Sequence, residues 1–521
     1  MYALLALAVA CALSGCFPSA EGKQPEAKAD KPKPPNVVFI LTDDLASSDL
    51  NENTLKHMPN LKKLLIDKGT TFDESFVTNS LCCPSRATIL RGQYTHNHQI
   101  LANEPPLGGF EKFRYLGHEN STIATWAKEQ GYRTTLIGKY LNGYNDTYIP
   151  PGWDEWYAVT GNYLSHTFNE NGRMVDYDQE TDYDTDVMSE KATDYISRTA
   201  GADPPFFTAD RPFLMWIGTK APHQPATPAP RDEEAYPDVT LPRSPNFDEE
   251  DVSDKPDWIE DNPSLSAEQK GYMDELHRKR LQSMLAVDDA LGELIRSLRE
   301  SGELSNTYIF FTSDNGFHLG EHRLGAGKWT AYEEDIHVPL VVRGPGVPKG
   351  RTLEHMVLNN DLAPTFADLA GTKAPSFVDG RSLKPLLTEE PTPPEDWRRR
   401  FLIEGVAERG GGPHPPFVDE SEVTPSLTGD PLPENWRRTS VARVRTSEEW
   451  GRPWMKALRT EEHLYVEYET GERELYDLEE DPYELRNLYA TAPPDLKRRL
   501  EGQLDALRQC AARDCRVAEE D

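Results

Sequence analysis

The chain has 521 residues, 37% of them hydrophobic, and carries 88 acidic against 56 basic side chains for a net charge of −32. That length holds one large domain and a smaller one, with enough apolar residues for a sizeable core. The charge excludes general nucleic-acid binding, which needs a basic face, and opposes any polyanionic ligand; a site for an anion must be a local basic pocket working against the overall field.

Residues 1–16 are apolar and uncharged. About 15 apolar residues are too few to span a bilayer, so the segment reads as a secretory signal. Leu13-Ser14-Gly15-Cys16 resembles the lipobox of bacterial lipoproteins, in which Cys16 becomes the lipidated first residue. Residues 17–35, rich in Lys, Pro, Ala and Glu, read as a flexible tether. The expected location is outside the cytoplasm, on a membrane that faces the periplasm or cell surface.

Asn36–Thr42 is a continuous apolar run suited to a buried parallel strand, and it ends in Asp43-Asp44. Similar runs at 134–137, 213–217, 308–312 and 338–342 alternate with helical patterns. The clearest helix is 267–298, with Met273, Leu276, Met284, Val287, Leu291 and Leu298 on one face and Gly302 as its stop. Such alternation predicts an α/β sandwich around a mainly parallel sheet, in which ligands sit beyond the carboxyl ends of strands. Asp43, Lys139, His223 and Asp314 each fall just after a strand. Two stretches, 222–263 and 389–435, are rich in Pro and acid, and the first is expected to rim the active site. Beyond Thr439, runs at 439–445, 454–460, 464–468 and 474–478 suggest an antiparallel meander, followed by a helix at 494–509.

Leu81-Cys82-Cys83-Pro84-Ser85-Arg86-Ala87-Thr88 reads as a reactive residue on a tight turn that opens a helix. The helix N-terminus and Arg86 make a pocket for an anion. The thiol there is either a nucleophile or raw material for another group. Cys510 and Cys515 are close enough in sequence for a small disulfide, which leaves the neighbours Cys82 and Cys83, whose own disulfide would be strained. Asp43, Asp44, Asp314 and Asn315 offer hard oxygen ligands from two strand ends, a set that suits Ca²⁺ ahead of Mg²⁺. Either pair alone would read as a helix cap or a turn.

From about residue 36 to about residue 489 the chain resembles a type I sulfatase. Cys82-Cys83-Pro84-Ser85-Arg86 matches that family's Cys-x-Pro-Ser-Arg, and Leu90-Arg91-Gly92 stands where its longer signature has Leu-Thr-Gly. Residues 81–98 and 138–156 are most similar to the N-acetylglucosamine-6-sulfatase and extracellular heparan-sulfatase branch, and 476–488 is similar to the family's end segment. The resemblance implies an alkaline-phosphatase-like sandwich and a small C-terminal α+β subdomain with an antiparallel sheet. It also implies that a maturation enzyme oxidises Cys82 to formylglycine, and that Asp43, Asp44, Asp314, Asn315 and residue 82 surround Ca²⁺. Lys139 and Lys328 match the sulfate-binding lysines, and His223 matches the His that protonates the leaving group. In the implied mechanism one hydroxyl of the formylglycine hydrate attacks sulfur and the second expels sulfate.

Many members carry a His two residues after the first lysine; here that residue is Leu141. His98 and His318 are therefore further candidates for substrate contact, while His337 reads as structural. The expected organisation is a signal at 1–16, a tether at 17–35, a catalytic domain at 36–395 and a C-terminal subdomain at 396–521. The expected activity is removal of sulfate from sulfated carbohydrate, with N-acetylglucosamine 6-sulfate as the branch's substrate. Two other readings fit the same motifs: a phosphate or phosphonate ester hydrolase of the alkaline-phosphatase superfamily, and a lipoprotein that binds sulfated glycans without cleaving them.

Overall fold

The structure, a computed structural model, describes residues 33–179, 181–200, 211–405 and 453–520. The signal, nearly all of the tether, Cys16, the expected strand at 439–445 and most of the 389–435 stretch lie outside the described residues.

The centre of the molecule is a ten-stranded sheet. In chain order its strands are β1 (Asn36–Thr42), β2 (Thr70–Phe72), β4 (Arg133–Gly138), β5 (Glu155–Gly161), β6 (His166–Glu170), β7 (Arg173–Tyr177), β8 (Phe213–Gly218), β9 (Thr307–Ser313), β12 (Leu340–Arg343) and β13 (Arg351–Leu353). Two short pairs flank it: β3 (Ser75–Phe76) with β14 (Val357–Leu358), and β10 (His318–Leu319) with β11 (Ala326–Gly327). The spatial order is β13-β2-β12-β9-β1-β8-β4-β5-β6-β7. Its central run, β9-β1-β8-β4-β5, is parallel throughout. β1 explains why a continuous apolar run was needed: successive side chains alternate between faces, and both faces are covered. Val37, Phe39 and Leu41 join one core with the helices Cys82–Arg91, Ile123–Glu129 and Leu362–Leu369. Val38 and Ile40 join the other with Asp184–Ala200 and Ala267–Glu300.

The long helix Ala267–Glu300 starts at Ser266, whose side chain accepts from the Gln269 N–H while Gln269 reaches back to the Ser266 N–H. This capping box contributes about 1 kcal/mol. Two expectations need correction. The run at 338–342 forms β12, which is antiparallel to both β9 and β2. The hairpin strands β5, β6 and β7 extend the sheet where no strand was expected.

The C-terminal sheet is antiparallel, in the order β15 (Arg400–Gly405), β16 (Met455–Thr460), β17 (His463–Tyr468) and β18 (Arg473–Asp477). Its first strand lies in the Pro- and acid-rich 389–435 stretch, where no strand was expected. Leu500, Leu504 and Leu507 of the helix Pro494–Leu507 cover it, together with Phe76 and Tyr94 from the larger body. Pro34–Asp521 is thus one compact unit. Cys510 and Cys515 are disulfide-bonded, and a final helix, Arg513–Glu520, was not anticipated.

Candidate active site

The carboxyl ends of β1, β4 and β9 converge on the start of the helix Cys82–Arg91. Leu81 is extended (φ −143°) and Cys82 is the first helical residue. The helix is buried along its whole length and ends at Gly92 (φ +69°), where an added Cβ would come 2.8 Å from Val378. Residue 82 therefore sits on a rigid support, which a catalytic group needs.

Asp43 and Asp44 follow β1, and in a plain strand their side chains would point apart. Asp44 adopts φ +67°, a left-handed conformation that Asp tolerates better than most residues. One ligand atom from each of Asp43, Asp44, Cys82 and His223 then lies within 4.8 Å of the others. Asp314, directly after β9, accepts from Arg86 Nε at 2.7 Å and from the Asp44 N–H at 3.2 Å. Asn315 Nδ2 donates to Asp44 Oδ1 at 2.7 Å. The Asp44 Oδ2 and Asn315 Oδ1 atoms are buried without a hydrogen-bond partner among the described residues.

Three cations complete the pocket. Lys139 Nζ donates to Asp43 Oδ2. Lys328 Nζ lies 2.6 Å from Asp44 Oδ1 and 3.0 Å from Cys82 Sγ. Arg86 lies 3.6 Å from Asp43, and its Nη1 donates to the Lys139 carbonyl at 2.9 Å. That last contact needs Gly218, because a Cβ there would strike the Lys139 carbonyl and come 3.2 Å from Arg86 Nη1. Burial opposes the charge on Asp43, but Lys139, His223, Arg86 and Lys328 outweigh it and hold its carboxyl well below the usual range. Asp314 behaves otherwise: burial and the Asp43 charge push its carboxyl up to about 6 despite Arg86. The pocket sets three carboxylates against three cations yet leaves Asp44 Oδ2 and Asn315 Oδ1 orphaned, a condition that a divalent cation relieves.

Cys82 is buried, and its Sγ lies 3.4 Å from Asp43 Oδ1. Burial, then the Asp43 charge, pushes the thiol well above its ordinary value against Lys139 and Lys328. A thiol held protonated is a poor nucleophile. His223 enters on a turn with cis peptide bonds at Ala221-Pro222 and Gln224-Pro225. Its Nδ1 is 2.6 Å from the Gln224 carbonyl, so the ring hydrogen lies there, and Nε2 faces Asp44 Oδ2 at 3.7 Å.

The sulfatase family's sequence profile matches residues 35–372. The chain belongs to the sulfatase family. It is 34% identical to human N-acetylglucosamine-6-sulfatase over 500 residues, which cover 93% of this chain and 86% of that protein. It is 37% identical to a putative extracellular sulfatase Sulf-1 homolog of Caenorhabditis elegans over 379 residues, 71% of this chain. The chain spans 52% of that relative's length and 34% of the Drosophila melanogaster extracellular sulfatase SULF-1 homolog. Among solved structures, BT4656 in complex with its substrate D-glucosamine-2-N,6-O-disulfate superimposes with a TM-score of 0.69 at 25% identity, covering 94% of this chain and all of that one. A phosphonate monoester hydrolase from Silicibacter pomeroyi has a TM-score of 0.63 at 23% identity, covering 90% of this chain and 93% of that one; it shares the fold.

In this family member Cys82, Arg86, Lys139, His223, Lys328, Asp43, Asp44, Asp314 and Asn315 all meet in one pocket. His98 does not join them, and its reading as a substrate contact is corrected. It is fully buried, with Nε2 bonded to Thr88 Oγ1 at 2.9 Å and Nδ1 accepting the Ile100 N–H at 3.0 Å. Both ring nitrogens are committed, so it braces the helix that carries residue 82. His318 sits opposite Gly327 in the β10–β11 ladder, one residue from Lys328. Asp335 holds its Nδ1 at 2.9 Å, while Nε2 is buried without a partner among the described residues. His337 is structural as read, its Nε2 lying 2.6 Å from the Asp73 carbonyl.

Arg280 was missed. It donates to the Asp44 carbonyl at 2.5 Å, to Asp49 Oδ2 at 2.9 Å and to the Pro222 carbonyl at 3.3 Å. One buried guanidinium thus ties the Asp43-Asp44 turn to the His223 turn. The signal was present: a charged residue between Leu276 and Met284, on the apolar stripe of the long helix.

Proposed function

We propose that this protein hydrolyses sulfate monoesters of carbohydrate, with 6-sulfated N-acetylglucosamine or a related glucosamine as substrate. The observation that carries the reading is the setting of residue 82: it is buried at a helix start between Lys328 and Asp43, with its thiol held protonated. A plain cysteine there serves poorly, whereas a precursor of formylglycine fits. Converted by a maturation enzyme, residue 82 supplies a hydrated aldehyde, with one hydroxyl for attack on sulfur and a second whose collapse frees sulfate. Asp43, Asp44, Asp314 and Asn315 would hold Ca²⁺, with Mg²⁺ second, and such a cation would supply Lewis-acid polarisation of a sulfate oxygen and acidify the position-82 hydroxyl.

The protein's own groups do the rest. Arg86, Lys139 and Lys328 concentrate positive charge where the sulfuryl oxygens gather charge in the transition state. Asp43 and Asp314 keep Lys139 and Arg86 charged and aimed. His223 presents Nε2 to the scissile oxygen and gives it a proton as the alcohol departs. His318 gives its Nδ1 hydrogen to Asp335, so its buried Nε2 is an added acceptor for a sugar hydroxyl. The glucosamine preference draws on the relatives' named substrates.

The protein is further proposed to be exported and lipid-anchored at Cys16. The Cys510–Cys515 disulfide supports an oxidising compartment. A release screen tests the function: N-acetylglucosamine 6-sulfate, other sulfated sugars, an aryl sulfate and an aryl phosphate are compared. Sulfate release from the 6-sulfated sugar, with aryl sulfate well ahead of aryl phosphate, is expected. Preference for phosphate, or glycan binding without release, overturns the proposal.

A further inference from the structure

Behind the wall of this pocket lies a second cluster of ligating atoms that the catalytic reading does not use. His322, Glu334 and Glu484 each place one ligand atom within 4.8 Å of the other two. His322 Nε2, Glu334 Oε2 and Glu484 Oε1 are all buried without a hydrogen-bond partner among the described residues. His322 is fully buried and so is Glu484. Orphaned buried polar atoms are rare, and three on side chains clustered this closely call for a common partner.

The surroundings fix what that partner is. Glu249 Oε2 lies 2.6 Å from His322 Nδ1, so a neutral ring carries its hydrogen there and turns the Nε2 lone pair into the cluster. This carboxylate–histidine arrangement is the support that metal-binding imidazoles use. Asn246 does the same for Glu334, donating to its Oε1 at 2.8 Å, and the Glu333 N–H donates to Glu484 Oε2 at 3.2 Å. Each ligand is therefore oriented from its other atom, with one atom left free. The nearby ammonium is Lys255, 3.5 Å from Glu249 and already donating to the carbonyls of Glu484 and Leu485. His322 and Glu484 also hold left-handed backbone (φ +52° and +55°), a strained setting for non-glycine residues.

We propose that His322, Glu334 and Glu484 form a structural site for a divalent first-row transition ion such as Zn²⁺. One imidazole and two carboxylates suit Zn²⁺, whereas Ca²⁺ prefers oxygen alone. The ion pins the segment after β18 to the helix Glu333–Ile336. That helix supports the active site directly. The carbonyls of Glu334 and Asp335 accept the N–H groups of Phe317 and Gly316, next to Asn315, and Asp335 also binds His318 and Thr330. The Zn²⁺ thus acts as a positioning device for the wall that carries His318 and Lys328.

The test is metal uptake by the full protein. Protein stripped by chelator is given Zn²⁺ in excess Ca²⁺, desalted and analysed for elements. One zinc per chain is expected in the wild type and in Asp44→Asn, and none in His322→Gln or Glu484→Gln. Glu249→Gln should bind zinc about 10–100-fold more weakly. Co²⁺ loaded into the wild type alone should show the visible bands of a four- or five-coordinate site, an answer that does not depend on any variant folding. Absence of stoichiometric zinc and cobalt uptake by the wild type overturns the proposal. So does uptake that survives in both ligand variants, or that disappears in Asp44→Asn.

Discussion

His223→Ala separates proton donation from every other contribution of the pocket. The ring hydrogen on Nδ1 is committed to the Gln224 carbonyl at 2.6 Å. Only a second proton, on Nε2, can reach a leaving oxygen, so the working form is the charged imidazolium. Burial lowers the pKa of His223, Asp44 and Asp43 raise it, and the balance falls below the ordinary histidine value. Activity that needs the charged form is present below that pKa and lost as pH rises through it. Sugar alkoxides are poor leaving groups, and a positioned acid contributes about 10²–10⁴-fold, or about 3–5 kcal/mol of barrier. An aryl sulfate with a nitrophenolate leaving group needs no such proton. His223→Ala should therefore lower kcat/KM on 6-sulfated glucosamine by about 10²–10⁴-fold and on the aryl ester by less than about tenfold. It should also remove the basic limb of the pH profile on the sugar. Sulfate release and nitrophenol absorbance, followed across pH on both substrates, provide the assay. Equal losses on the two substrates would refute the assignment of His223 as acid.

Arg280→Met should lower stability by about 3 kcal/mol, the low end for breaking a buried ion pair because the Asp49 side chain is 13% exposed. It should also lower kcat by about 10²-fold through misplacement of the two turns, with little change in KM. Thermal melting read beside initial rates checks both, and an unaltered kcat would remove Arg280 from the account. His98→Ala should cost about 2–4 kcal/mol from lost packing and two lost hydrogen bonds while leaving KM unchanged. A raised KM at unchanged stability would restore His98 as a substrate contact.

The parts of the site that were legible in the sequence are those where local chemistry decides the structure. β1 announces itself because a strand covered on both faces must be apolar at every position, and its end is marked by the abrupt change to Asp43-Asp44. The Cys82 helix, Asp314-Asn315 and the two Gly-Lys pairs were found by motif, and the fold brought them together. The orientation of β12 was not legible, because a buried antiparallel strand inside a mixed sheet has the same unbroken apolar pattern as a parallel one. β15 was missed because its short core, Phe401-Leu402-Ile403, lies in a chain stretch dominated by Pro and charge. His98 misled for the opposite reason: its place beside the motif says nothing of which way the ring turns, and both nitrogens turn inward. Arg280 shows in the sequence only as a charge on an apolar stripe: its partner Asp44 lies 236 positions away, as Glu249 lies 73 from His322, and no local pattern records such contacts.

The central claim is that residue 82 works as an aldehyde hydrate in a pocket of cations, and mass spectrometry of the peptide that spans it is the most direct test. In protein made alongside a formylglycine-generating enzyme, the account predicts the aldehyde at position 82, in a fraction that rises and falls with sulfate release. Full activity with an unmodified Cys82 thiol would contradict it.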